Sequence, residues 1–487
     1  MDEQTMMFEF AQRPTIKGFP ELRWTGKRPY RSTQYYPAQL RESYGEEQNG
    51  WINKIFWGDN LQVMSHLLKE YRGKIDLIYI DPPFDSKADY KKKIEVCGIG
   101  KAASDSTSFE EKQYGDIWTN DEYLQFMYER LIIMRELLSD TGSIFLHCDW
   151  HKAPHLRCLL DEIFGPENFR NEIIWSYKSA GMSTSTFPRK HDNIFYYSKT
   201  ADRVFYPIYV PHDEKVIKRF QRDEKGPYQL VNGKKYYMNP QGKPVEDVWE
   251  ILLANRDSQR TGYPTQKPEA LIERIIKCAT REGDLVLDCF MGSGTTQAVA
   301  MKLGRRFIGA DINLGAIQTT TKRLLSVAKE LEESQTSMGS ADDTKYTGFE
   351  VYNVNNYDFF RNPVEARDLL IAALEIQPFP QSDAWDGELD GRMVKIMPVN
   401  RIATKADLKE LIANLPYKTY EKRKEENPGQ PIMIDWNYDG VVMQPAVTDV
   451  PGKDELVSGV YDIPEDCGTI KVKITDLLSE SLEVEVR

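Results

Sequence analysis

Between residues 284 and 311 the chain runs strand, glycine-rich turn, helix and second strand without interruption, and this succession constrains the fold more than any other feature. An apolar run at 284–288 leads into Asp288-Cys289-Phe290-Met291-Gly292-Ser293-Gly294-Thr295-Thr296. A helix is expected over 295–303, closed by Gly304, and a strand over Arg306–Asp311. The same alternation occurs earlier, with a strand at 54–57, a helix after Asp59 and a strand at Ile75–Ile80. A further helix carries Leu124, Met127, Leu131, Met134 and Leu138 at three- and four-residue spacing, with Gly142 as its stop before a strand at 143–148. Another helix is expected over 268–281 and one near 314–333. Alternating strands and helices bury both faces of a mainly parallel sheet, so the fold class is α/β.

The chain has 487 residues, enough for two or three domains, and its 40% hydrophobic and 28% charged residues exclude a fibrous or wholly disordered protein. No apolar run approaches the roughly 20 residues of a membrane helix, and residues 1–13 lack a signal-peptide core; a soluble, cytoplasmic protein with no membrane partner is expected. Six cysteines without a Cys-x-x-Cys pair argue against a disulfide framework and a cysteine zinc site. The net charge of −12 is uneven. Residues 331–487 hold 16 basic and 30 acidic residues, whereas 176–248 hold 13 basic and 8 acidic. That basic segment interrupts the α/β rhythm with short strand-like runs and turns at Asn232-Gly233 and Gln241-Gly242, as a β-rich insert would. Residues 23–31 are basic and aromatic and fit an arm lying over another surface. Residues 332–343 are polar and read as a linker; a strand–helix–strand pattern at 393–398, 407–415 and 431–436 points to a small C-terminal α/β domain.

Two elements carry chemistry. Gly292 and Gly294 let backbone approach a ligand and leave the N–H groups of the following helix facing it. Asp311, 17 residues beyond Gly294 at the end of the next strand, is placed to accept from ribose hydroxyls. The turn lacks the Lys-[Ser/Thr] of a P-loop, which disfavours triphosphate hydrolysis. Directly after strand Ile75–Ile80 stands Asp81-Pro82-Pro83-Phe84. Asp81 and the Pro82 carbonyl suit the two hydrogens of an exocyclic amine, and Phe84 offers a stacking face for its ring. His147-Cys148-Asp149-Trp150-His151 with His155 has metal-binding residue types at the end of the strand at 143–148, and no metal is assigned to it. The long polar stretch 85–115 is a candidate for closure over a bound ligand, with a solvent-exposed disordered loop as the alternative.

Asp81-Pro82-Pro83-Phe84 together with Asp288-x-Phe290-x-Gly292-x-Gly294-Thr295 resembles the S-adenosylmethionine-dependent DNA amino-methyltransferases that modify adenine N6 or cytosine N4. The order of catalytic motif, insert and cofactor motif is similar to the permuted beta class, which includes type III modification subunits. Gly58-Asp59-Asn60-Leu61, Thr265-Gln266-Lys267-Pro268 and Gly304-Arg305-Arg306-Phe307-Ile308-Gly309 add to the likeness, which covers about residues 50–330. Cys289 departs from the usual Pro and Asp311 from the commoner Glu.

The resemblance implies a permuted Rossmann-like methyltransferase sheet, with an N-terminal arm at 1–50, a catalytic half at 51–175 and a target-recognition insert at 176–248. A cofactor half at 249–335 and a C-terminal domain at 336–487 follow. It implies that Asp288, Phe290, Gly292, Gly294 and Thr295 cradle the methionine moiety, Asp311 binds the ribose, Asp59 approaches the adenine, and Lys267 opens the flanking helix. Arg189, Lys190, Lys218, Arg219 and Arg222 become candidates for phosphate contacts. The implied reaction is methylation of adenine N6 on a base flipped out of double-stranded DNA; cytosine N4, a silent binding subunit, and methylation of RNA or protein amides are the alternatives. A homodimer and a restriction or defence-system subunit are the implied protein partners. The acidic C-terminal segment is repelled by phosphate, so a chain ending near Ser340 is expected to keep cofactor and DNA binding.

Overall fold

The computed structural model describes residues 6–11, 18, 20–83, 93–96, 100–104, 120–177, 185–253, 266–338 and 346–354. Beyond these it describes 387–390, 393–396, 417–420, 432–450, 460–464, 467–475 and 481–486. A ten-stranded sheet forms its centre. In chain order its strands are β1 (Ala38–Tyr44), β2 (Asn53–Trp57), β3 (Ile75–Ile80), β4 (Leu138–Cys148) and β5 (Phe169–Ser176). They continue with β6 (His191–Ser198), β7 (Val248–Glu250), β8 (Leu285–Asp288), β9 (Arg306–Asp311) and β10 (Phe349–Val354). In space they lie in the order β7-β5-β6-β4-β3-β8-β9-β2-β10-β1. The strands from β4 to β10 in this order are parallel to their neighbours, while β6 and β1 are antiparallel to theirs.

The period of two in the strands explains the two cores. Ile78 and Ile80 point to one face, where α1 (Asn60–Tyr71), α2 (Asn120–Leu137) and α3 (Ala153–Phe164) pack. Leu77 and Tyr79 point to the other, covered by α4 (Glu269–Ala279), α5 (Thr295–Lys302) and α6 (Leu314–Met338). The helices and strands expected between residues 54 and 333 are therefore present, with two shifts. Helix α2 stops at Leu137, and Leu138 already belongs to the strand. Gly142 lies in the register shift between β3 and β4, where a Cβ would come within 2.8 Å of the Ile75 carbonyl, so it answers a close approach and not a helix stop. Helix α6 continues to Met338, so the first half of the expected linker is helical and the boundary placed at 335/336 falls inside α6.

Beyond that boundary, β10 inserts between β2 and β1 in the main sheet. At the far edge β1 is continued by Met443, with Ser43 N donating to the Met443 carbonyl and Met443 N to the Arg41 carbonyl, each at 3.0 Å. Buried Lys473 pairs with Glu42 there. Burial alone would raise the Glu42 carboxyl, but the Lys473 charge and hydrogen bond hold it below its usual range. The C-terminal strands Ile432–Asp435, Val447–Asp449, Ile470–Thr475 and Ser481–Val486 form one sheet; residues 407–415, expected as a helix, lie outside the described residues.

Within residues 23–31, Lys27 reaches Glu162 at 2.9 Å and Arg28 N donates to Gln125 Oε1 at 3.1 Å. Within 176–248, β6 belongs to the main sheet, and the remainder holds short strands such as Gln221–Asp223, Gly226–Val231 and Lys234–Tyr237. Asn232 and Gly233 both take positive φ, as their hairpin turn requires. No described helix is long and apolar enough to cross a membrane.

Candidate active site

Strands β2, β3, β8 and β9 are parallel, so their C-terminal ends open on one edge of the sheet. Asp59, Asp81, Asp288 and Asp311 all stand at or just past those ends. Sequence positions more than 200 residues apart thus meet at one edge because the sheet places β8 and β9 between β3 and β2.

The glycine turn is held from both sides. Gly292 (φ 53°) and Gly294 (φ 69°) are left-handed, and a Cβ on Gly294 would lie 2.5 Å from Thr320 Cγ2 on α6. Gly292 N donates to Asp311 Oδ2 at 2.8 Å, and Asn313 N to Oδ1 at 2.9 Å. Asp288 is buried; its Oδ1 accepts from Phe290 N at 3.0 Å and its Oδ2 from Thr296 Oγ1 at 2.6 Å. Burial is the largest cause pushing this carboxyl up to about 7, with the charges of Asp81 and Asp311 adding to it and the two hydrogen bonds opposing. Thr295 begins α5 with its hydroxyl braced by Arg323 Nη1 at 2.9 Å, and Arg323 also holds the Ser293 carbonyl and Glu269. Phe290 is half-buried with its ring centre 6.2 Å from that of Phe126.

Asp59 caps α1, accepting from Leu61 N at 2.9 Å, and its second oxygen pairs with Arg130 at 2.8 Å. Asn60 ties this cap to the cofactor turn by donating to the Cys289 carbonyl at 3.1 Å. Asp81 follows β3, with Pro82 buried and Pro83 half-buried behind it; Phe84 lies outside the described residues, as does Thr265. Lys267, just before α4, donates to Asp81 Oδ2. Asp81 Oδ1 is buried with no hydrogen-bond partner among the described residues. A buried carboxylate oxygen left unmatched is costly, which makes it an acceptor awaiting a donor.

Of the candidate phosphate contacts, Arg189 stacks its guanidinium 3.6 Å from the Trp150 ring, just beyond β4. Lys190 is half-buried, with its carbonyl accepting from Tyr177 N. Lys218, Arg219 and Arg222 are exposed in the insert. Among the described residues no three His, Cys, Asp or Glu side chains converge as a metal site would need. Most of 85–115 lies outside the described residues. Sequence reasoning missed Arg130, Glu269, Thr320 and Arg323, which brace the turn from helices; each is a polar residue in a helical pattern that gives no sign of its partner. His147 was visible only as part of a metal-like cluster.

A parallel sheet with a carboxylate-lined glycine turn and a second acidic turn at the same edge defines an α/β enzyme that holds a nucleoside ligand against a reacting group. The DNA methylase family of the N6/N4 type matches residues 75–322, and the chain belongs to that family. It is 31% identical to the type II methyltransferase M.EcaI of Enterobacter cloacae over 330 residues, 56% of this chain and 69% of that one. It is 31% identical to M1.MboII of Moraxella bovis over 274 residues, covering 54% and 92%. The likeness to the StyLTI Mod subunit of a type III restriction-modification enzyme from Salmonella typhimurium is 26% over 350 residues, 56% of this chain and 53% of that one.

The chain is thus a DNA methyltransferase whose methyl donor is S-adenosylmethionine. The donor set fits that cofactor. Carboxylates at Asp59, Asp288 and Asp311 suit a ligand with a positive sulfur, an ammonium group and ribose hydroxyls, and Asp288 Oδ1 and Asp311 Oδ2, which each accept one backbone N–H, retain a second lone pair.

Proposed function

We propose that the protein methylates the N6 amine of adenine in duplex DNA. The observation that carries this reading is the Asp81 carboxylate, ion-paired to Lys267 through one oxygen and with its other oxygen buried and unmatched, at the sheet edge shared with the glycine turn. Asp opens the catalytic tetrapeptide, where cytosine-N4 enzymes more often carry Ser, and this favours adenine. S-adenosylmethionine, when bound, supplies a methyl group on a positively charged sulfur.

An exocyclic amine is a poor nucleophile because its lone pair is delocalised into the ring. Hydrogen bonds from that amine to Asp81 Oδ1 and the Pro82 carbonyl draw its hydrogens out of the ring plane and let the nitrogen become tetrahedral. Holding the amine in line accounts for much of the barrier reduction, up to about 7–11 kcal/mol. Asp59, Asp288, Phe290, Gly292, Gly294, Thr295 and Asp311 form the cofactor side, and Lys267 fixes Asp81 between the two. Mass spectrometry of nucleosides from DNA treated with the purified protein and labelled cofactor tests the reading: N6-methyladenine is expected, and N4-methylcytosine alone would replace it with the cytosine reading.

Asp311→Ala removes the acceptor that both positions Gly292 and faces the ribose. Cofactor affinity measured by calorimetry is expected to fall by about 1–3 kcal/mol. An unchanged affinity would reject this placement of the cofactor.

Lys218, Arg219 and Arg222 are exposed, and Arg189 stands near the catalytic edge, which supports phosphate contacts by the insert and its flank. DNA affinity is expected to weaken steeply with salt, and removing one true phosphate contact lowers the log–log slope by about one. Filter binding across a salt series checks this, and a slope unaltered in all of these Lys and Arg variants would move the DNA interface elsewhere. The likeness to a Mod subunit supports a place in a restriction-modification system.

A further inference from the structure

Behind Asp81 lies a chain of titratable side chains that the reaction outlined above does not use. His147, fully buried on β4, has Nδ1 4.0 Å from Asp81 Oδ1 and 3.0 Å from the Tyr79 hydroxyl. Its Nε2 is 3.2 Å from Asp192 Oδ2 on β6, and the other oxygen of Asp192 accepts from the Tyr177 hydroxyl at 3.2 Å. Trp175 of β5 stands edge-on to the imidazole at 5.4 Å between ring centres. The groups around the imidazole are thus Tyr79 and Asp81 from β3, Asp192 from β6 and Tyr177 after β5, with Lys267 behind Asp81 and Asp288 beyond Tyr79.

The tautomer follows from these partners. Burial would raise the Asp192 carboxyl, but the hydrogen bond from His147, the Lys267 charge and the Tyr177 hydroxyl act against it, and Asp192 is held below its usual range. An ionised carboxylate only accepts, so Nε2 carries a hydrogen and Nδ1 is the basic nitrogen of the neutral ring. Tyr79 is held well above its ordinary value, first by burial and then by the charges of Asp81, Asp288 and Asp192, so it stays a neutral phenol.

We propose that His147, anchored by Asp192, is a positioning residue for methyl transfer that steadies the Asp81 carboxylate and takes up the proton shed by the methylated amine. The inference rests on the reading of Asp81 as the partner of the target amine. As the amine nitrogen bonds the methyl carbon, the electron pair of the broken carbon–sulfur bond stays on sulfur, and one N–H proton must leave the nitrogen. Asp81 Oδ1 receives it, and His147 Nδ1 takes it once the Tyr79 hydroxyl turns its hydrogen away from that nitrogen and the gap closes by about 1 Å to hydrogen-bond length. The resulting imidazolium lies between two carboxylates, and Asp192, with 16% of its side chain exposed, links the buried path to solvent.

The test compares H147Q, D192N, the double variant and D81N by pH-dependent kcat, KM for DNA and calorimetric cofactor affinity. H147Q and D192N are each expected to lower kcat by about ten- to a hundredfold with KM and cofactor affinity within about twofold. The acidic limb of the H147Q profile moves to lower pH, because the imidazole that must be neutral to accept the proton is gone and only carboxylates remain to limit the reaction, and the double variant is no slower than H147Q. A kcat within twofold of the original, or a slower kcat with an unmoved profile, overturns the proposal. If H147Q does not fold, D192N decides by itself, since its side chain reaches the surface. Inactive D81N beside unaffected H147Q and D192N overturns this inference alone, whereas active D81N overturns the reading of Asp81 itself.

Discussion

Asp81→Asn and Asp81→Ala are expected to remove methyl transfer while leaving the cofactor bound. The carboxylate is the one described acidic group at this edge with an unmatched buried oxygen, and the ion pair with Lys267 fixes its other oxygen. Losing a positioned proton acceptor costs roughly 10²–10⁴-fold in rate, and the ion pair of Lys267 with Asp81 is lost with it. The acids that fit the cofactor, Asp59, Asp288 and Asp311, are tied to other partners and stay in place. Single-turnover transfer of labelled methyl, set beside cofactor calorimetry, separates the two effects. A rate within a few-fold of the original would show that Asp81 is a structural turn residue.

Much of this site is legible in the sequence because its signals are local. A carboxylate after an apolar strand, as at Asp81, and glycines between a strand and a helix, as at Gly292 and Gly294, follow from short-range rules of turns and backbone freedom. The parallel sheet is legible for the same reason, since strand and helix periods alternate from residue 54 onwards. What the sequence hides is long-range pairing. Nothing in the spacing says that Lys267 will meet Asp81, 186 residues away, or that His147 will find Asp192 on an antiparallel neighbour. Strand β10 is the sharpest instance: it follows a polar stretch that reads as a linker, so its membership of the main sheet rests entirely on partners more than 290 residues earlier.

That strand overturns the expectation that the chain can be cut near Ser340. A chain ending there loses β10, which pairs with β2 on one side and β1 on the other. Phe349, Val351 and Val354 are all buried, and at about 1.5–3 kcal/mol each their loss amounts to roughly 5–9 kcal/mol. Asn53 would also lose the Tyr346 and Gly348 carbonyls, to which its side chain donates at 2.7 and 2.9 Å. Typical domain stability is about 5–15 kcal/mol, so this cut is expected to unfold the sheet or leave it molten. Strand β2 leads directly to Asp59, and cofactor binding goes with it. A chain ending at residue 356 retains β10 and gives up the pairing of Tyr417–Tyr420 with Gly100–Ser104 and the contacts of the C-terminal strands with β1, where Glu42 and Tyr44 become open to water instead of buried without partners. Circular dichroism melts and cofactor calorimetry on the two chains provide the test. A cooperative melt and full cofactor affinity in the chain ending at 340 would show that β10 is dispensable and that the acidic C-terminal segment is separable from residue 340 onwards.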